Sequence, residues 1–256
     1  MNLKRYLSIV FTITEFELRK LRHDPSQIGL RLVQPVLWLV VFGGVFTRIR
    51  AIPTGDYSYL QFITPGVLAQ SVLFVSIFYG IAVVWERDLG LLDKLLATPA
   101  PRSAIVLGKA LSAGVRSILQ AVAIITLALI IGVDITLTPL SVLGVFAIII
   151  LFGICFSSLS MGIASIFRTR ERVMGIGQAI TMPLFFASNA IYPISLMPDW
   201  LKAISIVNPL SYVVDAMRGL LVTGDLSSLP LDILAIFIAA AVLVVLTSFS
   251  FRRLLS

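Results

Sequence analysis

The chain has 256 residues, of which 58% are hydrophobic and 13% charged, with a mean hydropathy of +1.02. Soluble domains carry about 25% charged residues, and no single water-soluble core of this size hides so much apolar surface. Composition therefore argues against a soluble enzyme, a disordered chain or a nucleic-acid binder, and predicts an all-α polytopic membrane protein. The net charge of +7 is assigned to inner loops under the positive-inside rule rather than to nucleic acid.

The segment 3–22 comes first. Leu3, Tyr6, Leu7, Val10 and Ile13 recur at helical spacing, with Lys4, Ser8, Thr12, Glu15 and Arg19 on another face. That pattern predicts a helix lying in the inner membrane surface rather than crossing it. Glu15 and Glu17 interrupt the apolar stretch, which argues against a cleavable signal peptide. Asp24-Pro25 is expected to break the helix and turn the chain into the membrane. A crossing helix needs about 20 mostly apolar residues at ~1.5 Å each. Six stretches qualify: 28–49, 60–85, 104–132, 140–167, 173–192 and 229–251. Pro183 and Asn189 make the outer end of the fifth irregular.

Between spans two and three, residues 86–98 mix alternating charge with five leucines. Leu89, Leu92 and Leu96 form one stripe, with Leu91 and Leu95 beside it, and Pro99 and Pro101 end the pattern. A short amphipathic helix at the inner mouth is predicted; a solvated loop with incidental leucines is the plainer alternative.

The outer stretch 193–228 holds two helix starts. Asn208 is placed to cap a helix opened by Pro209. Leu210, Val213, Val214, Met217, Leu220 and Leu221 then make an apolar stripe, with Ser211, Asp215 and Arg218 off it and Gly224 at the end. Pro198-Asp199 opens a second short helix. Both are too short to cross. The pattern fits a re-entrant outer cap, with two interfacial helices anchored by Trp200 and Tyr212 as the plainer alternative.

Charge fixes the orientation. With the N-terminus inside, inner segments hold Lys4, Arg5, Arg19, Lys20, Arg22, Arg87, Lys94, Arg102, Arg168, Arg170, Arg172, Arg252 and Arg253, against Arg48, Arg50, Lys202 and Arg218 outside. Both termini are therefore expected in the cytoplasm. Within the spans, Arg31, Gln34, Gln61, Gln70, Arg116, Gln120 and Gln178 are polar. Arg116 and Gln120 share a helix face, and a central Arg needs a partner or a wet path. Gln34, Gln61, Gln70 and Gln178 are the candidate pathway residues. No phosphate loop of the form G-x-x-x-x-G-K-[ST] occurs, so the chain is not expected to hydrolyse ATP itself. No span carries a central Asp or Glu, which weakens an ion-coupled carrier. Cys155 has no partner for an intrachain disulfide, and His23 stands alone without zinc spacing, so no metal is expected.

The string E-R-D-L-G-L-L-D-K-L-L-A-T-P from Glu86 to Pro99 resembles the signature of type-2 ABC exporter permeases. Asn208-Pro209-Leu210-Ser211-Tyr212 and Asp215-Ala216-Met217-Arg218 resemble that family's segment before its last span, and the daunorubicin-resistance-type drug exporters are the nearest subgroup. The resemblance covers nearly the whole chain; Asp88 stands where Glu is often found. It implies one six-span transmembrane domain over 1–256, paired with a second permease copy in the cell membrane. Two cytosolic ATPase subunits would bind ATP and Mg, and this chain would need no cofactor of its own. Glu86, Arg87, Asp88, Gly90, Leu91, Asp93 and Leu95 would form the coupling helix. Residues 3–22 would form the connecting helix, and Asn208, Pro209, Tyr212, Asp215 and Arg218 the outer gate. The implied cargo is a hydrophobic or amphipathic drug, lipid or glycolipid. A polysaccharide exporter of the same class, a lone carrier or channel, and a lipid-acting membrane enzyme are the competing readings.

Overall fold

The computed structural model describes residues 2–21, 26–49, 52–167 and 169–251, with backbone alone at 21 and 26–30. The expected break at Asp24-Pro25, together with Arg22, His23, Arg50, Arg168, Arg252 and Arg253, lies outside the described residues. Among the described residues every regular element is helical.

Helix α1 (Leu3–Leu21) packs along α6 (Arg102–Ile130). Its buried face is Val10, Ile13, Thr14 and Glu17. Of the predicted stripe, Val10 and Ile13 are buried, while Leu3 and Leu7 stay exposed, with Phe11 and Phe16. The reason is electrostatic. Helix α6 presents Lys109 and Arg116, so α1 turns Glu17 inward.

The first span is α2 (Ser26–Val36), continued by a π-helical segment at Leu37–Gly43 and by α3 (Gly44–Ile49). Pro35 has no N–H to give the Arg31 carbonyl four residues back. Gln120 Nε2 of α6 points at that carbonyl from 3.5 Å, and the helix widens just after the proline.

Helix α4 (Tyr59–Asp88) starts at a capping box in which Ser58 and Gln61 exchange side-chain and backbone hydrogen bonds. It is the centre of the bundle: 78% of its apolar window is buried, against 17% for the first span and for α11 (Leu229–Ser250), which therefore lie at the edges. Helices α6 and α7 (Pro139–Ile166) pack against α4 and each other, and α11 packs on α7. Phe152 and Phe156 meet edge to face at 4.8 Å in the core.

Small residues let these helices approach. Gly114 of α6 and Gly153 of α7 sit backbone to backbone: a Cβ on Gly153 would lie 2.5 Å from the Gly114 Cα. Hydroxyls bridge other pairs. Ser160 Oγ donates to the Ile77 carbonyl and Thr247 Oγ1 to that of Ser158, each at 2.7 Å. Lipid supplies no hydrophobic drive between helices, so such close packing and interhelical bonds hold them together.

Among the described residues five helices are long and apolar enough to cross a membrane: 31–49, α4, α6, α7 and α11. They match five of the six predicted spans. The other, predicted at 173–192, is the 17-residue helix α8 (Arg170–Phe186), which stops three residues past Pro183. At ~1.5 Å per residue it reaches roughly 26 Å, short of a hydrocarbon core of about 30 Å.

Candidate functional site

At one end of the bundle, Glu86, Arg87 and Asp88 form the last turn of α4 rather than part of a separate helix. Leu89 and Gly90 then turn the chain, and α5 (Leu91–Leu96) follows. Gly90 has φ 67°, a left-handed conformation that side-chain-bearing residues disfavour. This kink corrects the expected single helix over 86–98. It also breaks the leucine stripe: Leu92 is buried, whereas Leu89 and Leu91 are exposed. Asp93 and Lys94 are exposed and Leu95 is half-buried. Asp88 pairs with Arg87 at 3.2 Å and with Arg170, which opens α8, at 2.8 Å. The α4–α5 corner thus presents an exposed mixture of leucine and charge and is tied to α8.

Glu86 faces inward, into an ion cluster that sequence reasoning missed. Lys109 lies 2.5 Å from Glu17 and also pairs with Glu86. Lys20 bridges the same two carboxylates at 3.1 and 2.7 Å. Arg116 donates through Nη2 to the Glu17 carbonyl and lies 3.8 Å from its carboxylate. Burial opposes the Glu17 charge, but Lys109 and Lys20 outweigh it and hold its pKa below the ordinary 4.5. Burial likewise opposes the Lys20 charge, yet Glu86 and Glu17 raise its pKa above 10.5. The cluster locks α1 to α6 and to the last turn of α4. Its signal was present: Glu17 follows Val10 by seven residues and Ile13 by four, and Lys109 and Arg116 are seven apart.

Two cavities adjoin this cluster. One, of about 410 Å³, is walled by the ion cluster together with Arg31, Tyr79 and Trp85. The second, of about 290 Å³, lies among α2, α4, α6 and α8 and is lined by Gln34, Gln120 and Gln178 with Phe74, Ile81 and Met182. Arg31 and Phe78 line both. Of the predicted pathway residues, Gln34 and Gln178 meet here. Gln61 does not: it belongs to the far-end cap and donates to the Asp134 carbonyl at 3.0 Å. Gln70 is buried in α4 with no hydrogen-bond partner for its Nε2 among the described residues.

At the other end, Asn208 caps α10 (Pro209–Arg218), its side chain accepting from the Leu210 N–H at 3.0 Å. The predicted stripe of Leu210, Val213, Val214, Met217, Leu220 and Leu221 is buried, and so is Ser211. A π-helical segment at Gly219–Thr223 extends the helix to its Gly224 cap. The neighbouring α9 (Asp199–Val207) keeps Trp200, Ile204, Ile206 and Val207 exposed. Asn208 Nδ2 also donates to the carbonyls of Leu184 at 2.7 Å and Ala187 at 3.3 Å. Arg218 pairs with Asp215 at 3.2 Å, donates to the Asn189 carbonyl at 2.8 Å and stacks on Phe62 at 4.0 Å. Asn189 in turn donates to Asp215. Three of the five predicted outer residues, Asn208, Asp215 and Arg218, therefore clasp the broken end of α8, while Pro209 opens α10. Tyr212 does not join them; its hydroxyl donates to the Ile206 carbonyl at 2.6 Å. Asn189 is the member read in the sequence only as an interruption.

The chain matches the family described as ABC-2 type transporter over residues 9–222. It is 28% identical over 220 residues to a putative transport permease of Cyanophora paradoxa, covering 84% of this chain and 74% of that one. It is also 28% identical over 200 residues to a daunorubicin resistance ABC transporter permease of Streptomyces coeruleorubidus, covering 78% and 70%. A probable multidrug ABC transporter permease of Escherichia coli K12 is 27% identical over 169 residues, covering 65% and 44%.

Proposed function

The chain belongs to the ABC-2 type transporter family, and from that premise we propose that it is the transmembrane subunit of an ATP-driven exporter that moves a hydrophobic or amphipathic molecule outward. A second permease copy pairs with it, and two cytosolic ATPase subunits bind ATP and Mg. Helix α8 serves as the sixth membrane segment of each copy, completing its span with the clasped turn that follows it, and both termini lie in the cytoplasm of a cell-membrane protein. Helix α1 is the connecting helix on the inner surface. The α4–α5 corner receives the ATPase: Leu91 and Leu95 provide the contact, and Asp93 and its charged neighbours orient it.

One observation carries this reading. The most buried helix of the bundle runs without a break into a sharp corner with exposed leucines and charges. A rigid element so placed transmits a push from outside the membrane to the cavity lined by Gln34 and Gln178. The outer cluster of Asn208, Pro209, Asp215 and Arg218, with Tyr212 beside it, is the gate at the exit. The naming of the Streptomyces coeruleorubidus relative for daunorubicin resistance agrees with a cargo that is apolar in the main.

The test is to purify the chain with its cognate ATPase and measure cargo-stimulated ATP hydrolysis and transport. Gly90→Pro demands φ near −65° where the chain has 67°. It and Asp93→Arg are expected to abolish coupled transport while membrane insertion persists. Unchanged transport in both variants contradicts the assignment.

A further inference from the structure

The larger cavity holds more positive charge than its own carboxylates can answer. Lys20, Arg31, Lys109 and Arg116 line it, against Glu17 and Glu86. Both carboxylates are bound by the two lysines, and Glu17 also lies 3.8 Å from Arg116. Among the described residues Arg31 has no carboxylate within ion-pair distance. Arg116 is 8% exposed, and its Nε is buried without a hydrogen-bond partner. The two guanidiniums share one aromatic ring: Arg31 lies 5.2 Å and Arg116 4.3 Å from the centre of Tyr79. Two like charges at one ring, in a cavity lined by four cationic side chains and two carboxylates, call for an oxyanion.

The neighbourhood says which oxyanion. The cavity shares Arg31 and Phe78 as walls with the second one, whose lining includes Phe74, Val75, Ile77, Ile81 and Met182. Together the two spaces fall within the range of about 300–1,000 Å³ typical of small-molecule sites. The charged part lies against α1 and the inner-loop corner, and the apolar part lies deeper among the spans. Basic pockets between spanning helices on the cytoplasmic side suit lipid headgroups.

We propose that this double cavity is a binding site for an anionic amphiphile with a phosphate-type headgroup, seated from the inner leaflet. Arg31 and Arg116 hold the headgroup oxygens, Tyr79 orients the two guanidiniums, and the chain lies against Phe74 and Met182 beside Gln34. That this ligand is cargo rests on the export reading; that it binds does not.

The experiment uses the purified permease–ATPase complex and counts bound lipid by native mass spectrometry without nucleotide. The probes are dioleoyl phosphatidic acid, dioleoyl phosphatidylcholine and inorganic phosphate. Wild type is expected to prefer phosphatidic acid over phosphatidylcholine. Arg31→Gln is expected to weaken that binding about tenfold, as loss of one charge-assisted contact implies, and Arg31→Lys to restore part of it. Equal binding of the two lipids by wild type overturns the proposal, and needs no variant to fold. So does an Arg31→Gln variant that keeps full affinity. Inorganic phosphate binding as tightly as the lipid also overturns it, since the site would then read the free anion. In a second arm, phosphatidic acid is expected to stimulate ATP hydrolysis in wild type. Lipid binding without any functional coupling to the ATPase sinks the export reading alone, and a coupled complex indifferent to the anion sinks this one alone.

Discussion

Lys109 is buried between two carboxylates that come from different helices, Glu17 on α1 and Glu86 on α4. Removing one partner of a buried pair strands the other, at a cost on the order of 3–5 kcal/mol. Lys109→Met is therefore expected to release α1, read as faster amide exchange over residues 10–20. Adding Glu17→Gln to that variant is expected to recover part of the protection, because it removes the stranded charge. The same contact has a pH window. The pKa of Glu17 is lowered, so its contribution is complete above 4.5 and is lost as pH falls through the lowered value. The pKa of Lys20 is raised, so its contribution holds below 10.5 and is lost as pH rises through the raised value. Exchange over residues 10–20, corrected for its intrinsic rate, should be slowest between those limits. These residues were half legible in the sequence. A buried Arg116 announced a need for a partner, but one helix's spacing cannot say which helix will face it.

Elements were more legible than residues. Five long helices follow from apolar runs alone, because a membrane core asks only for length and hydropathy. The cap of α10 follows from Asn208, since capping is local chemistry, whereas the Ser58 cap of α4 went unread. What failed to show is what depends on neighbours. The α4–α5 kink needs Gly90 in a left-handed conformation, and a glycine in a helical string is silent about its φ. The end of α8 is fixed by Asn208 and Arg218, more than twenty residues downstream. Asn208→Ala loses both the cap and the bonds to Leu184 and Ala187, and is expected to cost about 1 kcal/mol or more, read as a lower unfolding midpoint in detergent. The α6–α7 crossing gives a sharper case. Gly153→Val places a branched side chain on the Gly114 backbone, which cannot yield as a flexible side chain would. Loss of a monodisperse folded chain is the expected outcome, with Gly175→Val, where a Cβ meets nothing within 4 Å, as the tolerated control.

At the scale of the whole molecule, the first span and α11 turn most of their apolar surface outward. Under the proposed function such faces meet lipid or a second copy. Two parts of the bundle then have separate tasks. In the proposed function the ion cluster and the α4–α5 corner act as a lever at one end, and the polar clasp around α8 acts as a stop at the other. Between them lies a cavity that neither end fills. The central claim is that this chain is driven by an ATPase it does not contain. Reconstitution into liposomes, with and without the cognate ATPase, tests it most directly. Outward accumulation of a fluorescent amphiphile should require both the ATPase and ATP, and should vanish in Gly90→Pro. Uphill movement by this chain alone, with no nucleotide present, would contradict the account.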